Sequence, residues 1–145
     1  MNLLALVAKL DRLLRGLDSE VKTYPTTAAG VVVTAGAATY AKGGTWVEVI
    51  PASTVTTDFK PVAIVAEIIS TIDEYELEIA SGLAAAEVVI STHKFANIAN
   101  LGTARVQIAS IATQPANTRL SLRLSSKDGS NTASVSLEYV DALNS

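Results

Sequence analysis

Along the first stretch of the chain, apolar residues recur at alternating steps of four and three: Leu3, Val7, Leu10, Leu14, Leu17 and Val21. That spacing holds one stripe on a single side of an α-helix, where it can meet a partner helix. With Leu3, Leu10 and Leu17 at d positions, Val7, Leu14 and Val21 take a positions, and Leu6 and Leu13 widen the stripe. The pattern predicts a helix over residues 2–22. Two uses of it stand open, self-association and docking on its own domain, because an isolated helix of this length is marginal in water. Gly16 and Asp18-Ser19 weaken the last turn, and Tyr24-Pro25 makes the following residues extended, since the residue before proline is pushed out of helical conformation.

Beyond residue 30 the period changes from helical to alternating. Val31–Thr34 is a short β-rich run, residues 35–44 read as a loop with three glycines, and Thr45–Ile50 is a strand with Trp46, Glu48 and Ile50 on one face and Val47 and Val49 on the other. Val62–Ile69 is almost continuously apolar, as expected of a strand covered on both faces, although its length also fits a buried helical turn. Tyr75, Leu77 and Ile79 alternate with Glu74, Glu76 and Glu78, giving one face for a core and one for water or a basic partner. Residues 86–95, 104–111, 119–124 and 133–140 continue the series, and Lys127-Asp128-Gly129-Ser130 is a hairpin signal of the Asp-Gly type. Pro51-Ala52-Ser53-Thr54 is echoed by Pro115-Ala116-Asn117-Thr118, which marks equivalent corners of two sheets or is a coincidence. About eight strands behind one N-terminal helix predict a mainly β protein: an antiparallel β-sandwich or jelly-roll-like domain.

Composition narrows the classes. The 145 residues suffice for one domain with its own core. Charged residues make up 17% of them, below the roughly 25% of an average soluble domain, so Ala, Ser, Thr and Asn must cover much of the surface. Such a surface suits a chain packed against other chains, and equally an exposed sheet face. A net charge of −3 with lysines and arginines scattered singly lacks the basic stripe that nucleic-acid binding requires. There is no cysteine, hence no disulfide framework and no thiolate metal site. Lys9, Asp11, Arg12 and Arg15 interrupt the apolar N-terminus, which therefore reads as neither a signal peptide nor a membrane span.

Catalytic chemistry finds little to work with. The single histidine, His93, precludes a two-histidine metal site and a Ser-His-Asp arrangement with a spare ligand within one chain, and reads as a strand-face residue. Glu74, Glu76 and Glu78 are neighbours on one strand face and read as a solvated surface or a contact for a cationic patch, not as a pair of glycosidase carboxylates. Gly43-Gly44 lacks the lysine and further glycines of a phosphate loop. No catalytic residue, metal ligand or cofactor is expected. Tyr40 and Trp46 together offer an aromatic platform for a sugar, against the plainer reading of Trp46 as core.

Several phrases go beyond periodicity. They are Trp46-Val47-Glu48-Val49-Ile50-Pro51-Ala52-Ser53-Thr54-Val55-Thr56-Thr57-Asp58-Phe59, Tyr75-Glu76-Leu77-Glu78-Ile79-Ala80-Ser81-Gly82, Glu87-Val88-Val89-Ile90, Gln114-Pro115-Ala116-Asn117-Thr118-Arg119-Leu120-Ser121, and Asp128-Gly129 before Thr132-Ala133-Ser134-Val135-Ser136-Leu137. In this order and spacing, residues 45–140 resemble virion-associated β-proteins of tailed phages and prophages, a group of capsid decoration, head-fibre and other accessory particle proteins. The resemblance carries no catalytic motif and implies a non-enzymatic role.

The expectation is therefore a helix at residues 1–22 for oligomerisation or anchoring through Leu3, Val7, Leu10, Leu14, Leu17 and Val21, a connector at 23–29 and a β-sandwich at 30–145. The resemblance implies a bacteriophage capsid decoration or cement protein, made in the bacterial host cytoplasm and carried on the outer surface of the virion. It would be a homo-oligomer, with a trimer favoured by the three-fold positions such proteins occupy, whereas the Val/Leu pattern of the helix by itself leans toward a dimer. Its other partners would be the major capsid protein or further virion proteins, with no nucleic acid and no membrane. The alternative is a receptor- or glycan-binding module of a fibre or tail, with Tyr40 and Trp46 as ligand contacts.

Overall fold

The computed structural model describes residues 2–17, 20–26, 29–97, 103–108 and 111–142, excepting the side chains of residues 12–17 and 68. The chain passes through helix α1 (Leu3–Leu17) and strands β1 (Lys22–Tyr24), β2 (Val31–Thr34), β3 (Val47–Ile50), β4 (Phe59–Ile69), β5 (Asp73–Ser81), β6 (Val88–Asn97), β7 (Ala104–Gln107), β8 (Leu120–Ser126) and β9 (Thr132–Asp141). The alternation within each strand decides its orientation. Tyr75, Leu77 and Ile79 of β5 and Leu120, Leu122 and Leu124 of β8 are almost wholly buried, and Glu74, Glu76 and Glu78 lie on the opposite face. The apolar run in β4 belongs to a strand flanked on both edges, by β9 and by β7, and not to a helix.

All pairings are antiparallel and they nest: β2 with β9, β3 with β8, β4 with β7 and β5 with β6. Folding that nest over itself adds the β4–β9 and β5–β8 pairings and divides the strands into two sheets, β2-β9-β4-β7 and β3-β8-β5-β6. This is the jelly roll, a double-sheet antiparallel sandwich. Its core lies between the sheets, where Val33, Ile50, Phe59, Ile64, Tyr75, Leu77, Leu122, Val135 and Leu137 interlock. Each such side chain contributes roughly 1.5–3 kcal/mol by leaving water.

Three details differ from the sequence reading. Helix α1 is described over Leu3–Leu17 and residues 20 and 21 are not helical, while Lys22–Tyr24, assigned in large part to a connector, is a ninth strand among the described residues and pairs with β9 opposite Leu137, Glu138 and Tyr139. Three residues carry no period of their own, so the strand exists through its tertiary partner. In β3 the register shifts between Glu48 and Ile50, so that Val49 and Ile50 are both buried and the expected strict alternation breaks. A similar shift falls between Pro61 and Ala63 of β4, where proline offers no N–H to the ladder.

The repeated Pro-Ala-x-Thr phrase marks matching corners. In each copy the threonine N–H donates to the proline carbonyl at 3.3 Å, and the third residue, Ser53 or Asn117, takes a positive φ of 63° or 65°. The two turns also meet: Ser53 N–H donates to the Asn117 carbonyl at 3.3 Å, and Asn117 N–H donates to the Val55 carbonyl at 2.7 Å. At the opposite end, Asp73 fixes the β8–β9 hairpin, its carboxylate accepting from Asp128 N–H at 3.0 Å and from the Asn131 amide at 2.6 Å. Gly129 in that hairpin has φ 75°, and an added Cβ would lie 2.4 Å from the Ala37 carbonyl oxygen.

Candidate interaction surfaces

Two surfaces stand out, one on the helix and one on the outer face of the β3-β8-β5-β6 sheet. Helix α1 starts where the Asn2 side chain accepts a hydrogen bond from Ala5 N–H at 2.8 Å, the arrangement that satisfies a free donor at a helix N-terminus. The described part of its apolar stripe is not buried by the chain's own domain: Leu3 is 75% exposed, Val7 55% and Leu10 53%, with Leu4 and Leu6 exposed beside them. Docking on its own sandwich, one of the two uses open from sequence, is not what these side chains do. Val21 is also exposed, while the side chains of Leu14 and Leu17 lie outside the described residues.

On the sheet, residues 35–46 extend the edge that β3 begins. Gly43 N–H donates to the Leu124 carbonyl at 2.9 Å and Tyr40 N–H to the Ser126 carbonyl at 2.8 Å, occupying the part of β8 that β3 does not reach. This placement sets the loop's side chains over the outward carboxylates of β5. Glu78, almost buried, accepts from Lys42 Nζ and from Arg123 at 2.8 Å (Nη2) and 3.1 Å (Nε). Burial alone would raise the Glu78 pKa, but the two cations that donate to it hold it below the usual carboxylate range. The Arg123 guanidinium lies 4.4 Å from the centroid of the Trp46 ring, a cation–π contact.

Neighbouring charges are matched in the same way. Arg119 bridges Glu48 at 2.6 Å and Glu87 at 2.9 Å, Lys94 stands 3.7 Å from Glu76, and the Tyr40 hydroxyl donates to Glu74 Oε2 at 2.5 Å. Of the glutamate face read from sequence as water-facing or as a contact for a basic partner, Glu76 and Glu78 thus meet cations of their own chain and Glu74 a tyrosine hydroxyl.

Tyr40 and Trp46, paired in the sequence reading, are put to different uses. Trp46 is committed to Arg123. Tyr40 is 46% exposed and holds a φ of 53°, a left-handed conformation rare for a bulky residue. Its side chain walls an open hollow of about 340 Å³ whose other sides are Glu74, Lys94, Ala96 and the β5–β6 strands at Tyr75 and Phe95. The Tyr75 and Phe95 rings stack on one another 5.3 Å apart and belong to the core side. A second hollow, about 250 Å³, shares Glu74 and is bounded by Ile72, Asp73, Asn97, Lys127 and Asp128. Beyond Tyr40 itself no sequence signal marks this constellation, because the loop that carries Tyr40 and the paired strands β5 and β6 are far apart in the chain.

His93 sits half-buried in β6 opposite Leu77, beside the Ser91 hydroxyl, and burial lowers its pKa. Among the described residues no cluster of three or more His, Cys, Asp or Glu side chains is placed to hold a metal ion, and no helix is long and apolar enough to cross a membrane.

No family model and no curated protein matches the sequence. Among solved structures, the chain is similar to the Eiger TNF of S. frugiperda, with 10% identity over 88% of this chain and 94% of that one and a TM-score of 0.47. It is also similar to a chain of infectious bursal disease virus, Gx strain, with 16% identity over 85% of this chain and 33% of that one and a TM-score of 0.37. Likenesses at this level carry no argument about function. The jelly roll is read from the strand pairing itself.

Proposed function

We propose that the chain is a non-enzymatic structural protein of a bacteriophage particle: a capsid decoration or cement protein that self-associates through α1, as a trimer, and binds the outer surface of the assembled shell. The observation that carries this reading is the uncovered stripe of Leu3, Val7 and Leu10. A soluble chain keeps such a stripe at a cost in solubility, and a seam with like helices removes it from water at roughly 1.5–3 kcal/mol per side chain. The resemblance of residues 45–140 to virion-associated β-proteins supplies the setting. A jelly roll whose outer face is braced by ion pairs at Glu78, Glu48 and Glu87 makes a rigid head, and several heads joined by one helical stem turn weak single contacts with the shell into tight attachment by avidity. The partners in this reading are the chain itself and the major capsid protein, with nucleic acid and membrane having no part.

The test is to mix purified protein with undecorated phage shells and measure the bound copies. Saturable binding that is lost in Val7→Lys/Leu10→Lys supports the proposal, and the absence of binding at any concentration up to aggregation refutes it.

A further inference from the structure

We infer that the hollow between Tyr40 and strand β6 is a binding site for a neutral, hydroxyl-rich saccharide. The inference stands apart from the helix and holds whether or not the chain decorates a shell.

Its geometry is that of a small-ligand site. At about 340 Å³ the hollow is at the lower end of the roughly 300–1,000 Å³ found for ligand pockets, and it combines apolar walls with a few convergent polar groups. The Tyr40 ring and the exposed Ala96 methyl offer flat apolar surface for the C–H face of a pyranose ring. Glu74 and Lys94 supply an acceptor and a donor side by side. Glu74 Oε2 is engaged by Tyr40, whereas Oε1 has no partner among the described residues. The Lys94 side chain is 80% exposed, with its ammonium held only loosely by Glu76 at 3.7 Å.

The preparation of Tyr40 is the second, independent observation. Its left-handed backbone costs roughly 1–3 kcal/mol and persists only where the surroundings over-determine it. Here they do: Tyr40 N–H is bound to Ser126, Gly36 N–H donates to the Ala41 carbonyl at 2.8 Å, and the neighbouring Lys42 is tied to Glu78. The aromatic wall is built before any ligand arrives, which lowers the ordering cost of binding.

Charge selects the class of sugar. The two hollows share Glu74 as a wall and are lined by Asp73, Glu74 and Asp128 against Lys94 and Lys127, so carboxylates outnumber cations and an anionic sugar is disfavoured. The adjoining hollow, with the Asn97 amide and Lys127, extends the site for a second ring, so a disaccharide should bind more tightly than a monosaccharide.

The experiment exposes labelled full-length protein to an array of neutral, sulfated and sialylated oligosaccharides, then titrates the best neutral disaccharide while amide shifts are followed by NMR. We expect a dissociation constant of about 1 mM or tighter, with shifts concentrated at residues 40, 74 and 94–97. Tyr40→Gly removes the wall while relaxing the backbone, so this variant folds. It and Glu74→Gln should each weaken binding at least tenfold, while Val32→Ser on the opposite sheet leaves it unchanged. The inference is overturned by binding of only charged glycans, by the absence of any neutral saccharide bound in this range, or by affinity that survives Tyr40→Gly.

Discussion

Glu78→Gln is the perturbation whose magnitude follows most directly from the outer-face charges. The native carboxylate accepts from Lys42 and twice from Arg123. A glutamine keeps the shape but turns an amide NH2 toward one of the two cations and leaves both without a counter-charge. A fully buried pair broken on one side loses roughly 3–5 kcal/mol. Here the glutamate side chain is 7% exposed but Lys42 is 43% and Arg123 27% exposed, so both cations regain water and a loss of about 2–3 kcal/mol is expected. For a chain of this length that lowers Tm by about 5–10 °C. Urea denaturation of both proteins at pH 7 and at pH 3 provides the assay. The Glu78 pKa is lowered in the folded state, so its contribution is fully present above the unfolded carboxylate pKa and is lost as pH falls through the folded one. The gap between the two proteins should therefore be large at pH 7 and narrow in acid. A gap under about 0.5 kcal/mol at pH 7, the size of an ordinary surface substitution, or a gap that is the same at both pH values, refutes the reasoning.

Other consequences are independent of this one. Tyr40→Gly loses an exposed hydrogen bond of about 0.5–1.5 kcal/mol and recovers backbone strain of about 1–3 kcal/mol, so its unfolding free energy, measured in urea, should fall by no more than about 1 kcal/mol; a loss of more than about 2 kcal/mol would show that Tyr40 is not strained. Gly129→Ala should lose more than about 2 kcal/mol, because its φ of 75° and the 2.4 Å approach to the Ala37 carbonyl leave no room for a methyl group; thermal melting would show it, and an unchanged Tm would mean that the hairpin yields easily. Amide exchange in that hairpin should quicken in Asp73→Ala, which removes the acceptor for Asp128 N–H and the Asn131 amide, and protection equal to the native protein's would argue that the carboxylate does not hold the turn.

The sequence made some of this legible and hid the rest for physical reasons. A strand with one buried face writes itself as alternation, which is why Tyr75, Leu77 and Ile79 could be placed opposite their glutamates, and why Asp128-Gly129 announced its hairpin. The repeated Pro-Ala-x-Thr phrase was visible too, but that its two copies are turns of one type in mutual contact is a tertiary fact. Strand β1 has three residues and no period. The nesting of β2 with β9 joins residues 31 and 135, and no local signal reports a pairing of that separation. Arg123, lying between Leu122 and Leu124, could be assigned to the outer face by alternation, yet its partners Glu78 and Trp46 become evident only from the registers of β5 and of β3 against β8. For the same reason Tyr40 and Trp46, six positions apart in a loop and read as one platform, are seen only in the fold to have different partners, Glu74 and Arg123.

The central claim, that α1 is the self-assembly element, is tested most directly by light-scattering mass of the full chain beside Val7→Lys/Leu10→Lys. Both side chains are exposed in the single chain, so the substitutions should leave the sandwich's thermal transition in place. The account predicts a trimeric mass for the native chain and a monomeric one for the variant. A native chain that is monomeric, or a variant that keeps the native mass, would contradict it.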